Sequence, residues 1–199
     1  VIEPIEKDLI YAIAFINDLN NLKNIKELAG FPRASEACIS GSELCSQINN
    51  RRVRFDRQLE SRPELKAFLC GVFDPLWTKV EADMKIKWPL EIEIDDDLPF
   101  IHQTLSPSDF GFHNCLREHD GTLRFLDLEY FGWDDPVKLT SDFLWHPGMD
   151  LSRQLKLVWI EAMKALFSRD TSFLQRLNAA HPVYGLRWSL IVLNVYLYD

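Results

Sequence analysis

Residues 105–143 read LSPSDFGFHNCLREHDGTLRFLDLEYFGWDDPVKLTSDF, and the rest of the chain takes its meaning from them. Two short apolar runs, Cys115–Leu116 and Leu123–Leu126, flank the turn residues Asp120 and Gly121. That is the signature of a β-hairpin. Asp109 and Asn114 stand before the hairpin, and Asp127 closes its second strand. A tight loop followed by a hairpin can bring all three to one point. Two carboxylates and one carboxamide oxygen are hard donors, suited to a divalent cation that keeps part of its water shell. The plainer reading makes Asp109 a turn cap and Asp127 a strand end. Three residues that fit together favour the shared site.

On both sides of this stretch the pattern is helical. Residues 4–88 open with Pro4 and acidic residues, then place Ile10, Ile13, Ala14 and Leu19 near helical spacing. After a loop with Gly30 and Pro32, Ser40 and Glu43 form a capping box for a helix through Leu59. Pro63 starts a long helix, which Pro75 is expected to kink or break. The arginines 51, 52, 54 and 57 invite a phosphate-binding reading, but a solvated, salt-bridged helix face fits them better. Between 139 and 199, Leu155, Val158, Trp159, Ala162 and Leu166 fall at helical spacing. The run WSLIVLNVYLY is apolar nearly all round and predicts a buried terminal helix. The fold class is therefore α+β, mostly α-helical, with a small hairpin bearing the site.

Composition narrows the function classes. The chain has 199 residues, a hydrophobic content of 47% and a charged content of 26%, ordinary for a soluble globular protein. A net charge of −8 repels nucleic acid and anionic membranes and suits cationic ligands. Cys38, Cys45, Cys70 and Cys115 lack metal-ligand spacing and read as reduced thiols, which points to a cytoplasmic protein. No apolar run approaches a membrane span. His102, His119, His146 and His181 show no metal spacing either.

Asp109-Phe110-Gly111 is also the magnesium-holding triplet of protein kinases. For that reading a catalytic Asp with an Asn five residues later must lie upstream. Residues Phe100, Ile101 and His102 occupy the positions five after Asp95, Asp96 and Asp97, so the triplet is a coincidence. With Asp109 as the catalytic Asp, the pattern closes through Asn114 and Asp127. Leu105–Phe143 then resembles the catalytic core of the aminoglycoside phosphotransferase and choline kinase family, whose relatives read His-Gly-Asp, four residues, Asn, a hairpin, Ile-Asp-x-Glu, and Gly-Asp-Pro with a later Asp. The resemblance implies the C-terminal lobe of the protein-kinase-like fold, with the flanking helices in matching order. It implies an ATP-dependent phosphotransferase acting on the hydroxyl of a small molecule, with magnesium and ATP, or another nucleoside triphosphate, as cofactors. By position, Asp109 resembles the catalytic base, and Asn114 and Asp127 the magnesium ligands. Glu129 matches the acid of the Asp-x-Glu element, and Asp142 the buried Asp that braces the catalytic loop through backbone N–H groups.

Two departures stand out. Pro107-Ser108 replaces the His-Gly before the catalytic Asp, so the loop must be braced differently around Ser108. No glycine-rich strand–turn–strand and no strand lysine paired with a helix glutamate is found. Together with Val1 at the start, this leads us to expect a single kinase-like C-lobe over 1–199 without its N-lobe. Such a piece is expected to be inactive alone, and its inter-lobe face to meet the missing lobe or another copy. Gly111 stands where protein kinases carry a Lys, and only YFGWDDP separates Glu129 from the next helix. Both favour a small acceptor. Asp134 and Asp135, with Glu129 and Asp150, are weaker candidates for a cationic substrate site, because caps and loop acids look the same. His113, within the loop, reads as a hydrogen-bonding or packing residue and not as the base. Two other classes compete: a kinase-fold binding or regulatory module without phosphotransfer, and a magnesium-dependent phosphohydrolase, for which no nucleophilic Asp motif is present.

Overall fold

The computed structural model describes residues 4–197. They form a mostly helical α+β protein. In chain order the elements are α1 (Glu6–Leu22), α2 (Gly41–Val53), α3 (Pro63–Phe68), α4 (Asp74–Lys87), β1 (Thr104–Ser106), β2 (Cys115–Arg117), β3 (Leu123–Phe125), β4 (Gly132–Asp134), α5 (Pro136–Trp145), α6 (Arg153–Leu166) and α7 (Phe173–Val192). Two compact units can be distinguished: the described residues up to Ile39 with Leu98–Leu174, and Ser40–Asp97 with the described residues from Gln175 onward.

The first unit carries the hairpin. β2 and β3 pair antiparallel, with Leu116 opposite Arg124. Gly121, at φ +85°, makes the turn, and Asp120 Oδ1 accepts from the Thr122 N–H at 2.9 Å. The sequence pattern did not announce a second ladder, β1 with β4, in which Leu105 faces Trp133. Each strand is only three residues long, too short for an alternating pattern to register. At Gly132 a Cβ would run into the backbone of Pro32–Ala34, so only glycine lets these segments approach.

α1 packs on α6 and β1 through Leu9, Ala12, Ile16 and Leu19. This corrects the expected face: Ile10 is 60% exposed and Ala14 is also outside. Asp8 is buried on the inner face because Arg117 Nη1 meets its carboxylate at 2.8 Å. α6 likewise buries Leu155, Trp159 and Met163, while Val158, Ala162 and Leu166 are half-buried. α5 is buried from Pro136 to Leu144, charged residues included.

In the second unit Ser40 caps α2, its Oγ accepting from the Glu43 N–H at 3.1 Å. α2 stops at Val53 and not at Leu59, because Phe55 turns fully inside as the chain tightens into a 3₁₀ turn at Asp56–Gln58. The segment from Pro63 changes at Leu69–Phe73 to a π-helical turn that ends just before Pro75. Pro75 has no N–H to return to the preceding turn, and the wider π turn absorbs that loss. Of the basic cluster, Arg52 pairs with Asp74 at 2.7 Å and Asp56 at 2.8 Å, whereas Arg51 is buried, contrary to a wholly solvated face. The terminal run also departs from expectation. α7 gives way to a 3₁₀ turn at Leu193–Tyr196, and Val192 and Val195 are exposed, so the run is buried on one side only. Its Tyr198 lies outside the described residues.

None of the four cysteines forms a disulfide. Among the described residues no helix is long and apolar enough to cross a membrane.

Candidate functional site

The loop between β1 and β2 is pinned by one aromatic side chain. Phe110 is buried, with ring centroids 5.5 Å from Phe15, 4.8 Å from Phe125, 5.6 Å from Phe143 and 6.4 Å from Trp159. With Phe110 driven inward, the neighbouring Asp109 is left half-exposed at the surface. Gly111 is covered: a Cβ there would lie 2.5 Å from Met149 Sδ and 2.7 Å from His113 Nδ1. A side chain at this position would require Met149 and His113 to move.

Asp109 follows a tight γ-turn. Its N–H donates to Pro107 O at 2.9 Å across Ser108, which has φ +66°. A non-glycine residue in this region carries strain of about 1–3 kcal/mol, which the surroundings must override. Three contacts do so. The Ser108 N–H donates to Ser106 Oγ at 3.1 Å, Ser108 Oγ donates to Ser35 O at 2.9 Å, and Lys138 Nζ lies 3.5 Å from the same Oγ. Ser108 thus occupies the expected glycine position, braced by hydroxyls and a lysine.

Lys138 is the main residue that sequence reasoning missed. It is 1% exposed, and its ammonium stands 3.0 Å from Asp134 Oδ2 and 3.1 Å from Asp142 Oδ2. The i, i+4, i+8 spacing of Asp134, Lys138 and Asp142, from the end of β4 into α5, was the available signal. Burial pushes the Asp134 carboxyl above its ordinary range, against the pull of Lys138 and of the N–H groups of Cys38 and Asp135. Asp135 caps α5, accepting from the Val137 N–H at 2.7 Å. The weaker substrate candidates Asp134 and Asp135 are therefore corrected: both are buried and spent on internal partners, and neither lines a solvent-facing site. Asp142 is buried beside them.

The remaining residues converge on the hairpin base. Asn114 Nδ2 donates to Asp109 O at 3.0 Å and to Asp109 Oδ2 at 3.2 Å. The Leu126 N–H donates to Asn114 O at 2.9 Å, so the residue before Asp127 is tied to Asn114. Asp127 has φ +59° and is exposed. Neither Asn114 Oδ1 nor the Asp127 carboxylate has a hydrogen-bond partner among the described residues. Glu129 is exposed and hydrogen-bonds Tyr130, raising the Tyr130 hydroxyl above its usual range, with smaller contributions from the charges of Asp127 and Asp109. Acidic groups thus gather on one surface. The unspent oxygens of Asn114 and Asp127 are hard donors, the type that magnesium prefers.

His113 and His146 flank Asp109, the second unforeseen. His113 Nε2 is 3.1 Å from Asp109 Oδ1 and His146 Nε2 is 3.7 Å from it. The hydrogen bond from His113 holds Asp109 below the ordinary carboxylate range despite partial burial. Burial first, and then the His113 charge, lowers His146. Ligating atoms of the three residues lie within 4.8 Å of one another, which raises a soft-metal alternative. The ring geometry opposes it. The two imidazoles stack with centroids 3.7 Å apart and planes 3° from parallel, so their in-plane lone pairs do not converge on one ion. His146 Nδ1 also accepts from the Gly148 N–H at 3.0 Å, leaving the neutral ring's proton on Nε2, the atom nearer Asp109. The pair orients and charges Asp109.

Comparison of the chain with protein families, with curated proteins and with solved structures finds no match.

Proposed function

We propose that this chain is the catalytic lobe of an ATP-dependent phosphotransferase that acts on the hydroxyl of a small molecule. One observation carries the reading: Asn114 is hydrogen-bonded to both the backbone and the carboxylate of Asp109, and its own carbonyl holds the strand end that leads into Asp127. Phosphoryl transfer asks for positioning and charge compensation more than for covalent chemistry. Asp109, kept ionised by His113, orients the acceptor hydroxyl and takes its proton. Asn114 Oδ1 and Asp127 would hold magnesium, which would supply positive charge against the negative charge developing on the transferred group. Glu129 and Tyr130 border this surface. The filled space at Gly111 and the short path from Glu129 to α5 support a small acceptor over a peptide.

Manganese, a paramagnetic stand-in for magnesium, should broaden the amide resonances of Asn114 and Asp127 in this chain, and Asp127→Asn should abolish the broadening. In a form that includes a nucleotide-covering lobe, Asp109→Asn should lower kcat by about 10²–10⁴-fold with little change in KM for ATP. Retention of most turnover in Asp109→Asn, with its loss in a well-folded His113→Ala, makes His113 the base and ends this assignment.

A further inference from the structure

A cleft of about 220 Å³ lies in the first unit, at the C-terminal end of α1 and beside the end of α6. Its polar lining includes Asn17, Asn20, Asn21, Asn24, Lys23 and Arg169. We infer that it is a binding site for a small phosphate-bearing, hydroxyl-rich metabolite, separate from the surface around Asp109.

The charges argue first. Neither Lys23 nor Arg169 forms an ion pair or a hydrogen bond among the described residues. They lie close enough for Arg169 to add to the effect of burial in lowering the Lys23 ammonium below its ordinary range. The half-buried Lys23 and the exposed Arg169 repel each other at the cleft, and one shared anion stabilises both. The acid lining the cleft, Asp170, is directed elsewhere: its Oδ1 accepts from the Ser172 N–H at 2.9 Å and from Ser172 Oγ at 2.6 Å. The helix end itself does not satisfy Lys23. The C-terminal dipole of α1 is worth a fraction of a charge, and a guanidinium stands beside it.

The carboxamides argue second. Asn17, Asn21 and Asn24 are exposed, with no protein hydrogen-bond partner for their side chains among the described residues, while the half-buried Asn20 leaves its shielded Oδ1 unsatisfied. The exposed carboxamides offer donors and acceptors that suit hydroxyl groups. Size decides the class. Sites for drug-sized ligands start near ~300 Å³, so this cleft suits a ligand smaller than a nucleotide. A short phosphorylated polyol fits; ATP does not.

Calorimetric titration of the chain with inorganic phosphate, glycerol 3-phosphate and glycerol tests this. Glycerol 3-phosphate should bind more tightly than inorganic phosphate, and glycerol alone should not bind. Lys23→Gln and Arg169→Gln should each weaken glycerol 3-phosphate by about tenfold or more. Lys156→Gln, which removes an exposed charge elsewhere on α6, should stay within about twofold. Asn20→Asp places a carboxylate in the cleft and should abolish binding, which keeps the test sharp should Lys23→Gln misfold. Inorganic phosphate binding as tightly as the ester reassigns the cleft to the free ion and removes the metabolite. Absence of binding by either phosphate at millimolar concentration, or an equal loss in Lys156→Gln, overturns the site.

Discussion

Two charged groups on one stretch of chain are handled in opposite ways. Asp134, Lys138 and Asp142 are buried, and their charges meet one another. Asp109, Asn114 and Asp127 are at or near the surface, and the carboxamide and carboxylate oxygens of the last two are unspent. The buried group resists change because removing one member leaves a charge in a low dielectric without its partner. The surface group tolerates change because water replaces what is lost. The first can hold the Ser108 turn in a strained conformation, and the second can offer oxygens to an ion. A buried framework and a solvent-facing set of oxygens need those two different environments.

The contrast predicts a graded series. Lys138→Met should be the most damaging, destabilising the protein by about 3–5 kcal/mol in chemical denaturation, because it strands Asp134 and Asp142. Adding Asp134→Asn and Asp142→Asn should recover part of that loss, since no uncompensated charge remains. A triple variant no more stable than Lys138→Met means that packing and not charge dominates there. Phe110→Ala should cost about 3–5 kcal/mol by opening a cavity among Phe15, Phe125, Phe143 and Trp159. The Asp109 amide resonance should shift with it, since Phe110 anchors the loop.

Acid should act through Asp8. Burial raises its carboxyl, but the hydrogen bond and charge of Arg117 and the Ile5 N–H outweigh this and leave it below the ordinary value. Its contribution to stability is therefore full above about pH 4, near the unfolded-state value, and is lost as pH falls further. Arg117→Met removes the strongest of the effects that oppose burial, while the Ile5 N–H and the Lys7 charge remain. The loss of stability on acidification should therefore be smaller in Arg117→Met than in the native protein. Parallel denaturation curves at pH 7 and below about pH 4 read the difference, and identical pH profiles for the two proteins refute it. The smallest effect is expected from Asp127→Asn: within about 0.5 kcal/mol of the native protein, yet without the manganese response. A large loss of stability from that change would mean Asp127 is structural and would undo the surface half of the contrast.

Much of the site's neighbourhood was legible in the sequence. The Asp120-Gly121 turn between two apolar runs fixes the hairpin, and Ser40 with Glu43 fixes the start of α2, because turns and caps are local chemistry. The inner face of α1 was not legible. Ile10 and Leu9 are equally apolar, and the choice between them depends on what α6 and β1 present. Lys138 was not singled out by the sequence pattern, since burial of a charge depends on partners brought to it in three dimensions. His146 joined Asp109 from the far end of α5, a proximity that spacing does not encode. Asp134 and Asp135 were weak candidates for a cationic-substrate site, and they proved to be an internal ion-pair partner and a helix cap.

By itself the sequence determined the hairpin around Asp120-Gly121 and the chemical character of the oxygens beside it, because both depend on residues a few positions apart. Only the tertiary structure decided which charges are spent inside and which remain available. It buried Lys138 between two carboxylates, set Ser108 in a positive-φ turn beneath it, and left the Asn114 and Asp127 oxygens without partners. Those outcomes depend on dielectric environment and on contacts between distant segments, and neither is written in local order along the chain.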